Sequence, residues 1–489
     1  MAEFLSGVRE PFFSVIFDPT QASQGPGELQ YSALIIGQRT AAAAAAPDAP
    51  AADTLHRVTS VGDVIDLGGR GSILHRQAIA WFASNTQTEL WVGLLDDDGA
   101  GAFAAGSITV TGPATADSTI ALYYGGVRRT VGVTSGDSAD AIAAAIKADI
   151  DLALDQPITA TVVTTVVTTT FRHKGLVGNE FDIRHSFNDG EALPAGVGLT
   201  IVQTTGGTSN PSLTALIAAM GDQWWQVWTH PYTDAVSLTA IENELLSRTG
   251  ALRMIDGVAF TSAVGSIGTL AALGNTRNSE HSVILSQPGE TPLTPPMEFA
   301  AEVAGVVAIS AQAQPNRPLH RIQLLNAIPP AEADLFTLTE RNSLLFDGIA
   351  TSSVNVSRVQ TGSIITTFQT NASAVPDAAF LQSETLFTLL FLRFAWRAQL
   401  SSKFPRALLV ADGVPIPSGK SVMSPAIGRA ESIAWFIAMQ ELLLVQNIEQ
   451  FKSDLVVAID GTNPRQLNFL LPPDLIKQLI VGSAVIQFR

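Results

Sequence analysis

Apolar and polar residues follow two different rhythms along this chain. After Pro211, stretches with apolar residues at helical spacing alternate with short, continuously apolar runs, and this alternation predicts helices layered on a sheet. A buried-strand pattern over residues 31–37 is assigned to the same α/β domain. The predicted helices are 212–220, 238–249, 266–273 and 296–312, and the predicted strands are 224–229, 259–261 and 282–286.

The second rhythm occupies residues 96–210, where short β-rich runs are separated by Gly, Asp and Pro turns. One helix over 138–154 interrupts them, with Ser138 as its N-cap and an isoleucine at every fourth position of its buried face. We expect this block to be a β-rich domain inserted into a loop of the α/β domain and standing out from its core. The predicted strands are 107–111, 119–124, 130–134, 158–171 and 198–203.

Residues after Pro376 are dominated by two amphipathic helices, the second entered through Ser424 as N-cap and Pro425 as first helical residue. We expect these helices to cover a small sheet. The last residues, 479–489, are strongly β-prone, with Ala484, Ile486 and Phe488 on one face. Because a strand at a chain end needs a sheet edge to pair with, this pattern favours assembly over chemistry.

The N-terminal region has an apolar run, residues 12–17, followed by a Gly- and Pro-containing polar stretch at 24–27. This pattern predicts an extended arm, and the alternative is an ordinary first strand of the main domain. The alanine-rich segment 41–52 is predicted to be a surface loop, since Pro47 and Pro50 prevent a long helix.

Together these patterns predict a multidomain α+β and α/β protein. It has a layered α/β core, an inserted β-rich domain, a C-terminal α+β domain and extended terminal arms. The predicted boundaries are 1–30 for the N-terminal arm, 31–95 with 211–370 for the α/β domain, 96–210 for the inserted domain, 371–470 for the C-terminal assembly domain and 471–489 for the C-terminal arm.

The composition favours some classes of function and argues against others. In 489 residues, 46% are hydrophobic and only 15% are charged, so much of the surface is suited to contact with neighbouring subunits. The formal net charge of −16 argues against nucleic-acid binding, which needs clustered Lys and Arg. The absence of cysteine excludes disulfides and thiolate metal sites. Neither a signal peptide nor a membrane span is expected from the sequence.

The sequence contains only weak signals for catalytic, cofactor-binding or metal-binding sites. Residues 413–421 are similar to a nucleotide-binding loop, but the glycines are one residue too far apart and two prolines remove amides that would cradle phosphate. The acidic run 96–98 lacks the ligand spacing of a calcium loop and is interpreted as a solvated turn, and the seven histidines have no zinc-site spacing. Trp224, Trp225 and Trp228 are interpreted as packing residues. We therefore predict no catalytic, cofactor-binding or metal-binding residues, and no enzyme.

Two ordered blocks resemble the contractile phage tail sheath family, close to its Mu-like branch. The first comprises residues 338–349 and the Ile364-Ile365-Thr366-Thr367-Phe368 run; Ser363 and Phe368 depart from the Arg and Tyr that relatives commonly carry there. The second block contains Phe404-Pro405-Arg406, Asp412-Gly413, Arg429-Ala430-Glu431, Asn447, Phe451-Lys452, Asn463-Pro464-Arg465, Leu471-Pro472-Pro473 and Ile486-Gln487-Phe488.

The resemblance implies a structural subunit that polymerises helically around a tail tube and contracts to drive the tube through a bacterial envelope. It implies other copies of the chain, the tail tube protein, and baseplate and tail terminator proteins as partners, with no cofactor, no nucleic acid and no membrane insertion. The implied location is the virion tail, assembled in the host bacterial cytoplasm. The sheath of a phage-like bacteriocin or contractile injection system is the nearer alternative, and a carbohydrate-binding or hydrolytic multidomain protein the more remote one.

In sheaths, the terminal arms add strands to domains of neighbouring subunits. The resemblance therefore assigns candidate arm strands at both chain ends, and it assigns a tube-facing role to a C-terminal helix near Arg393 and Arg397 or near Glu431. The candidate arm residues are Phe13, Val15, Ile16, Phe17, Leu479, Val481, Val485, Ile486 and Phe488.

Overall fold

The computed structural model describes residues 29–488, which form two compact units. The large unit holds residues 30–388 and 478–488, and the small unit holds Leu389–Lys477 together with Leu29. The N-terminal arm candidates Phe13, Val15, Ile16 and Phe17 lie outside the described residues.

The elements are numbered here in chain order. The helices are α1 Ala41–Ala44, α2 Val61–Gly68, α3 Ile73–Ser84, α4 Ala139–Leu152, α5 Thr214–Met220, α6 Ala235–Thr249, α7 Ile267–Gly274, α8 Pro296–Ala313, α9 Leu338–Phe346, α10 Ser383–Lys403, α11 Pro425–Glu441 and α12 Ile448–Asp454. The strands are β1 Ser32–Gln38, β2 Leu55–Val58, β3 Glu89–Leu95, β4 Phe103–Thr111, β5 Ser118–Tyr124, β6 Val127–Val133, β7 Ile158–Val163, β8 Val166–Lys174, β9 Ile183–His185, β10 Gly198–Thr205, β11 Val227–Thr229, β12 Val258–Ala263, β13 Ser282–Ser286, β14 Ile349–Ala350, β15 Ser352–Asn355, β16 Arg358–Thr361, β17 Leu408–Leu409, β18 Val422–Met423, β19 Val445–Gln446, β20 Val456–Ile459, β21 Leu467–Leu470 and β22 Asp474–Leu475.

A seven-stranded sheet forms the centre of the large unit, with the strand order β14-β13-β12-β11-β1-β3-β2. Its strands pair in parallel except β2, which runs antiparallel to β3. The central strands β12 and β13 are buried along their whole length, as expected for parallel strands covered on both faces. The layered α/β arrangement predicted from the alternating pattern is therefore confirmed.

Helices α3 and α8 pack against each other. Gly305 of α8 faces α3, and a Cβ there would make ordinary van der Waals contact with the carbonyl oxygen of Trp81, at 3.5 Å. The side chains of Ala300, Ala301, Ala304 and Ala308 are all buried, and their small size allows close packing of this helix.

Residues 96–210 form a four-stranded sheet, β10-β4-β8-β7, and a three-stranded sheet, β6-β5-β9, with helix α4 packed on them. Ser138 caps α4 as predicted, by accepting a hydrogen bond from the amide of Ala141. The single strand predicted over 158–171 is wrong: it is the hairpin β7–β8, with Thr164 at a φ of +52° in the turn. The unbroken run of β-branched residues conceals that turn.

The buried side chains of this block are continuous with the α/β core. Leu34, Ile73 and Leu95 of the layered region belong to the same cluster as Ala104 and Ile108 of the block. The expectation that the block stands out from the core stays a prediction, although part of its interior belongs to the same cluster as the α/β core.

Helices α11 and α12 and the second half of α10 pack in the small unit, around Trp435, Phe436 and Phe451. Ser424 caps α11, and Pro425 is its first residue, as predicted. The unit's strands form short pairs, β17–β18, β19–β22 and β20–β21. In the large unit, the predicted loop at 41–52 begins with the single turn α1, because the Thr40 side chain accepts from the amide of Ala43.

Candidate assembly surfaces

The predicted C-terminal arm, residues 471–489, includes the short strand β22. Its last described part, residues 478–488, contains no strand, and we call this part the C-terminal arm. The terminal strand expected from its sequence is therefore not formed among residues 29–488, where no strand of the chain pairs with this segment. Its apolar side chains are open to solvent: Val485 is 89% exposed, Ile486 88% and Phe488 94%. Such a cluster is unusual on a soluble surface and indicates a contact surface.

The hairpin β20–β21 offers edges to which such an arm could be added. Val457 pairs with Phe469 and Val456 with Leu470. Within the described residues each of these two strands pairs with the other alone, so both outer edges of the hairpin are open. Val456 and Leu470 also present an apolar pair on the outer face, 53% and 61% exposed.

The inner face of this hairpin is held by the helices of the small unit. Trp396 of α10 packs edge-on against Phe469, with ring centroids 5.2 Å apart. Gly428 of α11 provides space, since a Cβ at that position would lie 2.9 Å from the Phe469 ring and 3.0 Å from Val457. The hairpin is thus presented on a rigid support.

The loop of the hairpin accounts for the Asn463-Pro464-Arg465 run. Asp460 accepts hydrogen bonds from the amides of Thr462 (2.9 Å) and Asn463 (2.7 Å), and Asn463 accepts from the amide of Arg465 (3.1 Å). These bonds lower the pKa of Asp460, beginning with the Asn463 amide. The run therefore shapes a turn.

Two residues of the Arg429-Ala430-Glu431 run join elements of the small unit. The Arg429 guanidinium donates to the carbonyl oxygen of Leu455 at 2.9 Å, just after the end of α12. The Glu431 carboxylate accepts from the side chains of Gln399 at 2.9 Å and Lys403 at 2.7 Å, which ties α11 to α10. Sequence reasoning missed both roles, because the partners are distant along the chain.

The predicted tube-facing residues lie on two helices. Arg397 is exposed and Arg393 is half-buried on α10, while Glu431 is half-buried on α11 and has the internal partners just described. No observation bears on a tube contact, so the assignment stays a prediction.

Asp412 and Asn447 stand at the starts of two helices, with contacts that the sequence patterns did not reveal. Asp412 accepts from the amide of Ala426 at 2.9 Å and supplements the Ser424 cap of α11. Asn447 precedes α12 in the left-handed conformation, with φ +63°, and its side chain makes no capping bond but donates to Asp474 of β22. Asparagine tolerates this conformation better than most residues.

The earlier block of the resemblance lies in the large unit. The capping box of Thr337 and Glu340 begins α9, which leads into β14 at the sheet edge. Thr367 donates its amide to the carbonyl oxygen of Ser282 at 2.8 Å, and the Thr366 hydroxyl donates to that of Phe380 at 2.8 Å. Phe368 packs edge-on against Phe380. This run therefore fastens the chain that follows β16 to the sheet.

The acidic run 96–98 is more than the solvated turn that was predicted. Asp97 accepts from Gln38 at 2.7 Å, from the Lys174 amide at 3.1 Å and from Nδ1 of His173 at 3.0 Å, while His173 Nε2 accepts from the Ile73 amide. Burial alone would raise the pKa of Asp97, but these hydrogen bonds outweigh it and lower the pKa. Asp97 thus joins the inserted block to the sheet, a role that requires the three-dimensional fold to be known.

In the structure, the motifs that had suggested chemistry lie in an exposed loop or in the packed interior. Residues 413–420 form an exposed loop in the small unit. Trp225 and Trp228 are buried, and the Arg248 guanidinium lies over both rings at 5.5 and 5.0 Å from their centroids. Between residues 29 and 488, no group of three or more His, Asp or Glu side chains is placed to hold a metal ion. In the same range, every helix is too short or too polar to cross a bilayer.

Similar proteins point to one family. Residues 206–361 match the family described as the phage tail sheath protein central domain. A curated relative, the Mu-like prophage FluMu tail sheath protein of Haemophilus influenzae, is 35% identical over 484 residues, which cover 99% of this chain and 98% of the relative.

Two solved structures are similar at lower identity. The sheath tail protein of Desulfitobacterium hafniense is 14% identical, with a TM-score of 0.47 over 96% of this chain and 100% of the other. The sheath tail protein of Listeria innocua is 11% identical, with a TM-score of 0.49 over 94% of each chain. On the full-length identity to the Haemophilus protein, this chain belongs to the Mu-like phage tail sheath family.

Proposed function

We propose that this chain is the structural subunit of a contractile tail sheath, which polymerises helically around a tail tube and contracts to drive the tube through a bacterial envelope. Family membership supports the sheath role. The observation that carries the assembly mechanism is the coexistence of an exposed apolar C-terminal arm and a hairpin with open edges in the same chain.

In this proposal the arm of one copy adds a strand to the β20–β21 hairpin of another. Strand addition uses main-chain hydrogen bonds for affinity and alternate side chains for specificity. Val485 and the residues on either side of it can then be buried, at about 1.5–3 kcal/mol for each large apolar side chain. Donor and acceptor are different surfaces, so the contact is head-to-tail and propagates into an open helix unless its rotation closes a ring.

Contraction follows if the folded bodies move as rigid parts while the strand-paired arms act as tethers. The extended state would be metastable, with its free energy stored during assembly, so no nucleotide would be hydrolysed. The chain would therefore be structural and not catalytic, with the tail tube, baseplate and tail terminator proteins as further partners. The virion tail would be its location, after assembly in the host cytoplasm.

Electron microscopy of negatively stained protein tests the proposal. The full-length chain is compared with a chain that ends at Leu479 and with the matched variant Val485→Asp/Ile486→Asp, which keeps the arm's length. We expect tubes from the full-length chain and none from either variant, while the circular dichroism and thermal unfolding of all three agree. Tubes from the truncated chain would contradict arm exchange through the C-terminus.

A further inference from the structure

The C-terminal arm is not exposed uniformly along its length. Leu479 and Val481 are 79% and 80% exposed, whereas Ile480, between them, is 49% exposed. Just before them, the Gln478 side chain donates to the carbonyl oxygen of Asn316 at 3.1 Å. Gln478 and Ile480, at the start of the arm, therefore contact the rest of the large unit, while the side chains of Val485, Ile486 and Phe488 are almost fully exposed.

Ile480 lies in a cleft of about 650 Å³ on the large unit. The cleft is formed by helix α9, by the hairpin β15–β16 and by the segment that follows β16. We call it the arm cleft; its apolar lining is Leu338, Leu345, Val354, Ile364 and Ile480 itself. Ser363 also lines it, and the small size of that side chain leaves the cleft open.

We propose that the arm cleft is the seat of Ile480 from the same chain, so that residues 478–480 form a fixed root and residues 481–488 a separate, free tip. This deepens the proposed function and rests on the arm being the exchanged strand. Gly482, whose missing Cβ would meet nothing within 4 Å, follows the root and gives the tip a wide range of directions. Eight extended residues span at most about 26–29 Å, so the root limits which neighbouring copies the tip can reach.

The occupant is the chain's own arm for two reasons. Ile480 is the half-buried member of an otherwise open apolar segment, and the hydrogen bond from Gln478 positions it over the cleft. The cleft also has an apolar wall suited to one branched aliphatic side chain, beside the exposed Arg321 and the buried Glu384. A tip residue from another copy would have to displace Ile480 first.

Limited trypsin digestion of dilute protein tests this directly. Lys477 is exposed, and it is the last trypsin site before the C-terminal Arg489, so cleavage after it releases the peptide 478–489. A protease needs several residues on each side of the bond in extended form, and Ile480 is the third residue after it. Release therefore measures how often the root leaves the cleft.

The key variant is Ile480→Ser, and the matched control is Val481→Ser, one residue further along and 80% exposed. We expect Ile480→Ser to release the peptide about fivefold faster than wild type, as the loss of a half-buried isoleucine would allow, and Val481→Ser to behave like wild type. Cleavage after Lys420, in an exposed loop, serves as the internal reference for protease activity.

Equal release rates for wild type, Ile480→Ser and Val481→Ser would overturn the proposal. Protection that appears only as protein concentration rises would also overturn it, because the cleft would then be filled by another copy. Protection of the Lys477 site from trypsin is measured on single chains, and tube formation is measured separately by microscopy. A failure of arm exchange and a failure of the root are therefore distinguishable.

Discussion

Arg76 and Glu298 form a two-pronged ion pair between α3 and α8, with both nitrogen–oxygen distances at 2.8 Å and the side chains only 6% and 2% exposed. Replacing one partner leaves the other charge buried and uncompensated. We expect Glu298→Gln to lower the free energy of unfolding by about 3–5 kcal/mol, measured by urea titration. The double variant Arg76→Met/Glu298→Met should recover most of that loss; a double variant as unstable as the single one would show that the charges themselves stabilise the fold.

The buried Glu302 should give the protein a pH-dependent stability. Burial raises its pKa, although the amides of Asn326 and Leu325 donate to one of its oxygens and lower it in part; the other oxygen has no partner within the described structure. A carboxyl group with a raised folded-state pKa stabilises the fold fully below its unfolded value, about pH 4, and this stability is lost as the pH rises through the folded value.

Glu302→Gln, which cannot ionise, should therefore gain stability relative to wild type as the pH rises from 4 to 7. Urea unfolding at both pH values measures the difference, and Glu332→Gln, at an exposed position, is the control. A constant difference between Glu302→Gln and wild type across this range would contradict the expected ionisation.

Gly428 is required by packing and not by its backbone angles. Alanine within a helix is normally more stable than glycine by about 0.5–1 kcal/mol, but here its Cβ would lie 2.9 Å from the Phe469 ring. We expect Gly428→Ala to destabilise the small unit, and Gly428→Leu to displace the hairpin and abolish tube formation. Gly268→Ala, in α7 with only Ser266 within 4 Å, should stabilise the protein in the same thermal unfolding assay.

Val356 is held in an unfavourable conformation at the tip of the hairpin β15–β16. Its φ is +47°, a left-handed value that branched side chains rarely adopt, and its side chain is 89% exposed. Val356→Gly should therefore stabilise the fold by about 1 kcal/mol, read as a higher unfolding temperature. A loss of tube formation with that gain in stability would assign the valine to a contact between copies, and unchanged stability would show that the turn relaxes at no cost.

Substitutions can distinguish a role of the tube-facing candidates in binding the tube from their role in stabilising the fold. We expect Arg397→Glu to change the unfolding free energy by less than about 0.5 kcal/mol, since the residue is exposed. Glu431→Ala should cost about 1–3 kcal/mol, because it leaves Gln399 and Lys403 without their acceptor. If Arg397 faces the tube, its reversal weakens co-sedimentation of sheath with purified tube protein, and unchanged co-sedimentation would remove it from the tube contact.

Sequence patterns were sufficient to predict an element where residues close together in the chain determine its structure. The apolar run that became β13 and the Ser138 cap of α4 were both predictable, because burial periodicity and capping act within a few residues. The strand order of the sheet was not predictable: β1 lies between β3 and β11, and β11 begins at Val227, 132 residues after β3 ends at Leu95. Which strands lie beside β1 is decided only by packing between residues that are far apart in the chain.

The same distinction between nearby and long-range interactions applies to the candidate assembly surfaces. The arm was visible as an apolar alternation at the chain end, but residues 478–488 form no strand in the described chain. Asp97 was misread because its partners Gln38 and His173 lie 59 and 76 residues away along the chain. The internal partners of Glu431, a lysine and a glutamine of α10, were hidden for the same reason, while its tube-facing role stays a prediction.

The continuous core shared by β1, β3 and the block 96–210 also constrains how such proteins can diverge. Ile73 and Leu95 touch the same apolar cluster as Ala104 and Ile108, so a change of volume on one side has to be matched on the other. A larger side chain at one of these positions would therefore need a compensating reduction at another, so the residues of the block 96–210 and those of the sheet are coupled through one core.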